Sequence, residues 1–66
     1  MKTYEQVVND LGTTQAEMML NPSQTLRRYI SAETVAYLFD RELEVVQLDV
    51  QMAYYTAIDH LTPQAV

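Results

Sequence analysis

The sequence predicts an all-α fold, a small helical bundle in which three short helices pack on one long C-terminal helix. Three observations predict it. From Ala32 to Leu61 the chain runs without a glycine or proline. Apolar residues along that stretch recur at steps of three and four, the spacing of one helix face. Upstream, residues that start and stop helices follow one another in the order that helices require. Period-two alternation is confined to Val46, Leu48, Val50 and Met52 against Gln47, Asp49 and Gln51. A strand needs a pairing partner and no other segment alternates, so this stretch too is read as helix.

Thr3 can cap a first helix over 4–11, whose Tyr4, Val7, Val8 and Leu11 fall at i, i+3, i+4 and i+7, with Gly12 placed to end it in a left-handed conformation. Thr14-Gln15-Ala16-Glu17 has the spacing of a capping box, where hydroxyl and carboxylate each satisfy an unpaired backbone amide. It predicts a second helix over 15–20 carrying Met18, Met19 and Leu20. Asn21 then caps with Pro22 at the first helical position, where a missing N–H costs nothing, and Gln24 completes a similar box. The third helix spans 22–30, with Leu26, Tyr29 and Ile30 inward. Ser31 opens the last helix, 32–61, which stops at Thr62-Pro63 because proline restricts its predecessor. Residues 63–66 are expected to be a frayed tail.

On the long helix Val35, Phe39, Leu43, Val46, Val50, Ala53, Ala57 and Leu61 stay within about 80° of arc and make the core face. Val45, Leu48 and Met52 form a second apolar line, which widens the arc to be covered by the short helices or by another chain. At 1.5 Å per residue the helix would span about 45 Å, longer than a compact chain of this size is wide. Either it breaks, for which an Asp at Asp40-Arg41 could recap a new helix and divide the element into 32–39 and 41–61, or something covers its end. One helix, bent near Asp40, is expected because the stripe continues through that point, and a homodimer is the simplest cover for the overhang.

Composition narrows the function. The 66 residues make a single domain, 1–66, near the size where one core is only marginally sufficient. Cysteine is absent, so neither disulfides nor thiolate metal sites can supplement packing. No leader pattern and no apolar run of about 20 residues is present, which points to the cytoplasm and away from membranes. The net charge of −5 repels nucleic acid and favours basic partners.

Glu33, Asp40, Glu44, Gln47 and Gln51 lie within about 60° of one another opposite the core, flanked by Tyr37 and Tyr55. These seven residues are the candidate partner-binding site. Carboxylates about 6 Å apart approximate successive phosphates of one strand, so the ridge could occupy a basic groove built for nucleic acid. Tyrosines supply large contact area at interfaces. The alternative for the ridge is a solvated helix face. Met18, Met19 and Met52 read as adaptable core filler. Arg27-Arg28, the one basic pair, offers too few charges for nucleic acid binding. His60, beside Asp59, is the single imidazole and has no matching nucleophile motif, so it reads as a surface residue favoured by the helix C-terminus. No catalytic, cofactor-binding or metal-ligating set is expected.

Ala36, Phe39 and Val46 have the spacing of a helix-turn-helix, and over about twenty residues the chain resembles that family. Asp40 stands where the pattern has its turn glycine, and the second helix would begin Glu42-Leu43-Glu44, presenting negative charge to DNA. No DNA-contacting residue is carried across. The expected function is a non-enzymatic, acidic protein-binding module acting stoichiometrically on a larger basic protein or complex. By compositional analogy with phage and mobile-element proteins, anti-CRISPR and anti-restriction inhibitors among them, the target would handle nucleic acid. A homodimeric, antitoxin-like regulator or adaptor is the alternative, and a helix-turn-helix DNA binder the third.

Overall fold

The computed structural model describes residues 1–22 and 30–62, which form three helices: α1 Tyr4–Leu20, α2 Ala32–Phe39 and α3 Leu43–Leu61. The described residues contain no strand, and 46–52 is helical. The all-α expectation therefore holds, but the division into elements differs in two places.

The first difference is at Gly12. The expected helices 4–11 and 15–20 are one helix, begun by a capping box in which Thr3 Oγ1 accepts from the Gln6 amide at 3.2 Å and Gln6 Oε1 accepts from the Thr3 amide at 2.9 Å. Gly12 does not end it. A Cβ at Gly12 would stand 2.6 Å from the Ala53 Cβ and 2.7 Å from the Tyr54 amide nitrogen, so the glycine is where α1 and α3 approach backbone to backbone. Its cost in helix propensity, about 1 kcal/mol relative to alanine, is outweighed by that contact. Thr14 and Glu17 consequently sit inside α1, and no second capping box forms at a helix start.

The second difference is at Asp40, where the expected helix over 32–61 breaks into two. Ser31 caps α2 as expected, its Oγ accepting from the Thr34 amide at 3.2 Å. Asp40 then adopts the left-handed conformation, φ 53° and ψ 50°. Its amide donates to the Tyr37 carbonyl at 3.4 Å and the Arg41 amide to the Ala36 carbonyl at 2.9 Å, the paired bonds of a Schellman ending. Packing explains the break. On one straight helix Val35 and Val50 would lie about 22 Å apart, whereas here they share a single core cluster.

That cluster joins Val8 and Leu11 of α1 to Val35 of α2 and to Val46 and Val50 of α3, with Tyr4, Val7, Phe39 and Ala53 packed at its margin. Ala16 and Ala57 are buried as well. The predicted core face is thus largely realised. Leu43 and Leu61, at the two ends of α3, are instead 37% and 46% exposed. Val45, Leu48 and Met52 are exposed at 44%, 59% and 68%, so α1 and α2 leave the second apolar line uncovered. Met19 and Leu20 are also exposed. Of the expected helix 22–30, residues 23–29, with Leu26 and Tyr29, lie outside the described residues, and Ile30 is 42% exposed rather than inward. The expected tail, 63–66, lies outside them too.

Candidate protein-binding face

On α3, Glu44, Gln47, Gln51 and Tyr55 follow one another at steps of three and four, and all are exposed. With Leu48 they line an open groove shared with Gln15 and Met19 from the C-terminal half of α1 and Ala32 at the start of α2. Four of the seven expected partner-binding residues therefore come together. Glu33 and Tyr37 ride on α2 and Asp40 sits in the joint. They are exposed, Tyr37 at 85%, but none of them lines the groove. The single-helix arithmetic that placed Glu33 and Asp40 in line with Glu44 ends where the helix breaks.

The groove lining contains Leu48, which the sequence places on the apolar line to be covered. At 100° per residue, Leu48 and Tyr55 point about 180° away from the direction of Val46, Val50 and Ala57. The middle of the outward face is therefore apolar and aromatic, at 59% exposure for each of the two, with Glu44 and Gln51 to one side and Met52 and Asp59 to the other. The signal was present as the spacing of Val45, Leu48 and Met52. That α1 and α2 leave that line uncovered was not encoded locally.

Charge around this face is one-sided. All nine Asp and Glu fall among the described residues, with two of the four Lys and Arg; Arg27 and Arg28 lie outside them. Lys2 is paired with Asp10 on the surface. Arg41 lies over the Tyr4 ring, 4.4 Å from its centroid. Both described side-chain cations are thus engaged away from the α3 face.

A second groove, between α1 and α3, contains Asp49, Thr56 and His60 and ends at Tyr4. The Tyr4 hydroxyl donates to Asp49 Oδ2 at 2.6 Å, and its ring meets Phe39 edge-on at 5.7 Å. Arg41 completes a node that ties the start of α1 to the end of α2, the joint and α3. Burial, then the hydrogen bond and the negative charge of Asp49, push the Tyr4 phenol up to about 12, with Arg41 pulling the other way. His60 is exposed in the last turn of α3, at the negative end of the helix dipole. Among the described residues no group of three or more His, Asp or Glu is arranged to hold a metal ion, and no helix is long and apolar enough to cross a membrane.

The succession of α2, a short joint and α3 has the outline of a helix-turn-helix, with Asp40 in the left-handed region that glycine favours. The second helix opens on Glu42 and Glu44, however, and the neighbouring Arg41 is held on Tyr4. No protein family matches the chain, and no curated protein or solved structure is significantly similar to it.

Proposed function

We propose that this chain is a non-enzymatic binding module that acts stoichiometrically through the outward face of α3 on a larger, basic protein. One observation carries the reading: Leu48, Met52 and Tyr55, 59%, 68% and 59% exposed, share a helix face with Glu44, Gln51 and Asp59. Uncovered apolar anchors beside polar and charged groups are the composition of an interface centre and its rim. The negative charge selects basic partners and speeds encounter, while the anchors supply the affinity. A basic protein that handles nucleic acid has a groove suited to such a face, and blocking it would make the chain an inhibitor of the anti-CRISPR or anti-restriction kind. That last step rests on size and charge.

The test is affinity capture from the native cell with the tagged chain, followed by quantitative binding to the protein recovered. Glu44→Lys together with Leu48→Gln should weaken binding at least about tenfold, because an interface-centre residue commonly carries more than 1.4 kcal/mol. Reversing Glu33 and Asp40, which stand off the groove, should do less. Added duplex or single-stranded nucleic acid should compete for the same partner. Unchanged binding by the α3 variant would remove this face from the account, and absence of competition would remove the nucleic-acid-handling target.

A further inference from the structure

We propose that Asp40 to Glu42 is a hinge through which two copies of this chain exchange halves, α2 and α3 of each fusing into one continuous helix over 32–61. Three independent features of the joint point to it. Asp40 is the described non-glycine residue with positive φ, a conformation that L residues adopt reluctantly. Glu42, at the N-cap of α3, makes no side-chain cap bond, although Thr3 and Ser31 cap the other two helices. The residues of the joint include neither glycine nor proline, and the apolar steps Val35, Phe39, Leu43 and Val46 keep helical phase straight through it. Local sequence therefore favours continuing the helix. What bends the chain is the packing of Val35 against Val46 and Val50.

That packing can come equally from a second copy. If the joint straightens, α1 and α2 of one chain leave their own α3 and dock on the α3 of the partner. The close approach at Gly12 and Ala53, the Tyr4–Asp49 bond and the valine cluster then re-form between chains. The exchange is reciprocal and closes on a two-fold axis. Opening forfeits the Schellman bonds of Asp40 and Arg41 and the stacking of Arg41 on Tyr4. It replaces the bonds with regular helical ones and ends the left-handed turn. The contacts in the two forms are otherwise the same, so concentration selects between them.

The experiment combines sedimentation with a distance measurement on the whole chain. Asp40→Ala penalises the left-handed turn and should favour the dimer, whereas Asp40→Gly relieves it and should favour the monomer, each by about tenfold per hinge. Spin labels on Glu33→Cys and Gln51→Cys, diluted into unlabelled protein so that only intrachain distances are read, distinguish the geometry. On a continuous helix these positions lie about 27 Å apart. In the bent chain they should be closer, because Val35 packs with Val46 and Val50 and Ala32 lines one groove with Gln51. A dimer of Asp40→Ala with the long intrachain distance supports the exchange. A monomer at every concentration, or a dimer that keeps the short distance, overturns it. Should Asp40→Ala lose its helical signal, wild-type protein annealed at high concentration is read by the same two criteria.

Discussion

At Gly12 the absence of a side chain lets two helix backbones touch. Replacing glycine by alanine inside a helix normally adds about 1 kcal/mol of stability. Here the new methyl would meet the Ala53 Cβ at 2.6 Å, the Tyr54 nitrogen at 2.7 Å and the Ala53 carbonyl carbon at 2.9 Å, and backbone cannot rotate aside. Overpacking should win, so Gly12→Ala is expected to lower stability by about 1–2 kcal/mol net in denaturant titrations. Adding Ala53→Gly should rescue only part of the loss, since the Tyr54 nitrogen remains in the way. Tyr4 makes a second prediction at this scale. Its phenol stands at about 12 in the folded chain against an ordinary value of 10.0. The neutral hydroxyl is the form that folding favours, so its contribution is complete below the ordinary value and drains away as pH rises from there toward the folded one. Tyr4→Phe should cost about 1.5–3 kcal/mol near neutral pH, the range for a bond to a charged acceptor. It should also abolish the late step in the tyrosinate absorbance titration and flatten the alkaline loss of stability. If the amplitude lost on substitution lay near the ordinary value of 10.0 instead, the Asp49 bond would not form in solution.

Among the elements, α3 is the helix whose start is least well made. Glu42 offers its amides no side-chain acceptor, and a serine at this position would supply one from a short hydroxyl, as Ser31 does for α2. Glu42→Ser is therefore expected to stabilise the chain by about 0.5–1 kcal/mol, read as a higher denaturant midpoint at unchanged slope. The same two helix boundaries show how much was legible. Thr3, Ser31 and the core face at Val35, Val46, Val50 and Ala57 could be read from spacing, because caps and stripes are local. Gly12 could not, and Asp40 only as the less favoured of two alternatives. A glycine after Leu11 has the same local signature whether it ends a helix or admits a neighbouring one, and only the position of Ala53 decides between them. At Asp40 the local signal allowed a break, since Asp can recap a helix, but the uninterrupted apolar stripe argued for one bent helix; the valine cluster that decides for the turn is assembled from all three helices. The candidate site divided for the same reason. Glu44, Gln47, Gln51 and Tyr55, within one unbroken helix, kept their predicted alignment. Glu33, Tyr37 and Asp40 lost theirs at the joint.

Over the whole molecule, charge and core size pull against one another. Nine carboxylates and four side-chain cations leave a net −5 on a chain whose fully buried large side chains, among the described residues, are Val35 and Val46. The Lys2–Asp10 pair, with side chains 66% and 58% exposed, returns little, since surface pairs are worth about 0–1 kcal/mol. Self-repulsion should therefore exceed attraction among the charges, and added salt should stabilise the fold by screening it. Raising ionic strength from about 0.01 M to about 0.15 M shortens the screening length from about 30 Å to about 8 Å. If that relieves about 0.5–1 kcal/mol, the melting temperature of a chain this small should rise by about 2–8 °C. The binding reaction should respond with the opposite sign. A basic partner is drawn to the same negative field that strains the fold, so the association rate should fall over the range in which the melting temperature climbs. Thermal melts and association kinetics across one salt series test both slopes. A melting temperature that drops with salt would show that specific ion pairs, rather than net repulsion, dominate the electrostatics of this chain. An association rate indifferent to salt would leave Leu48, Met52 and Tyr55 to act without electrostatic help.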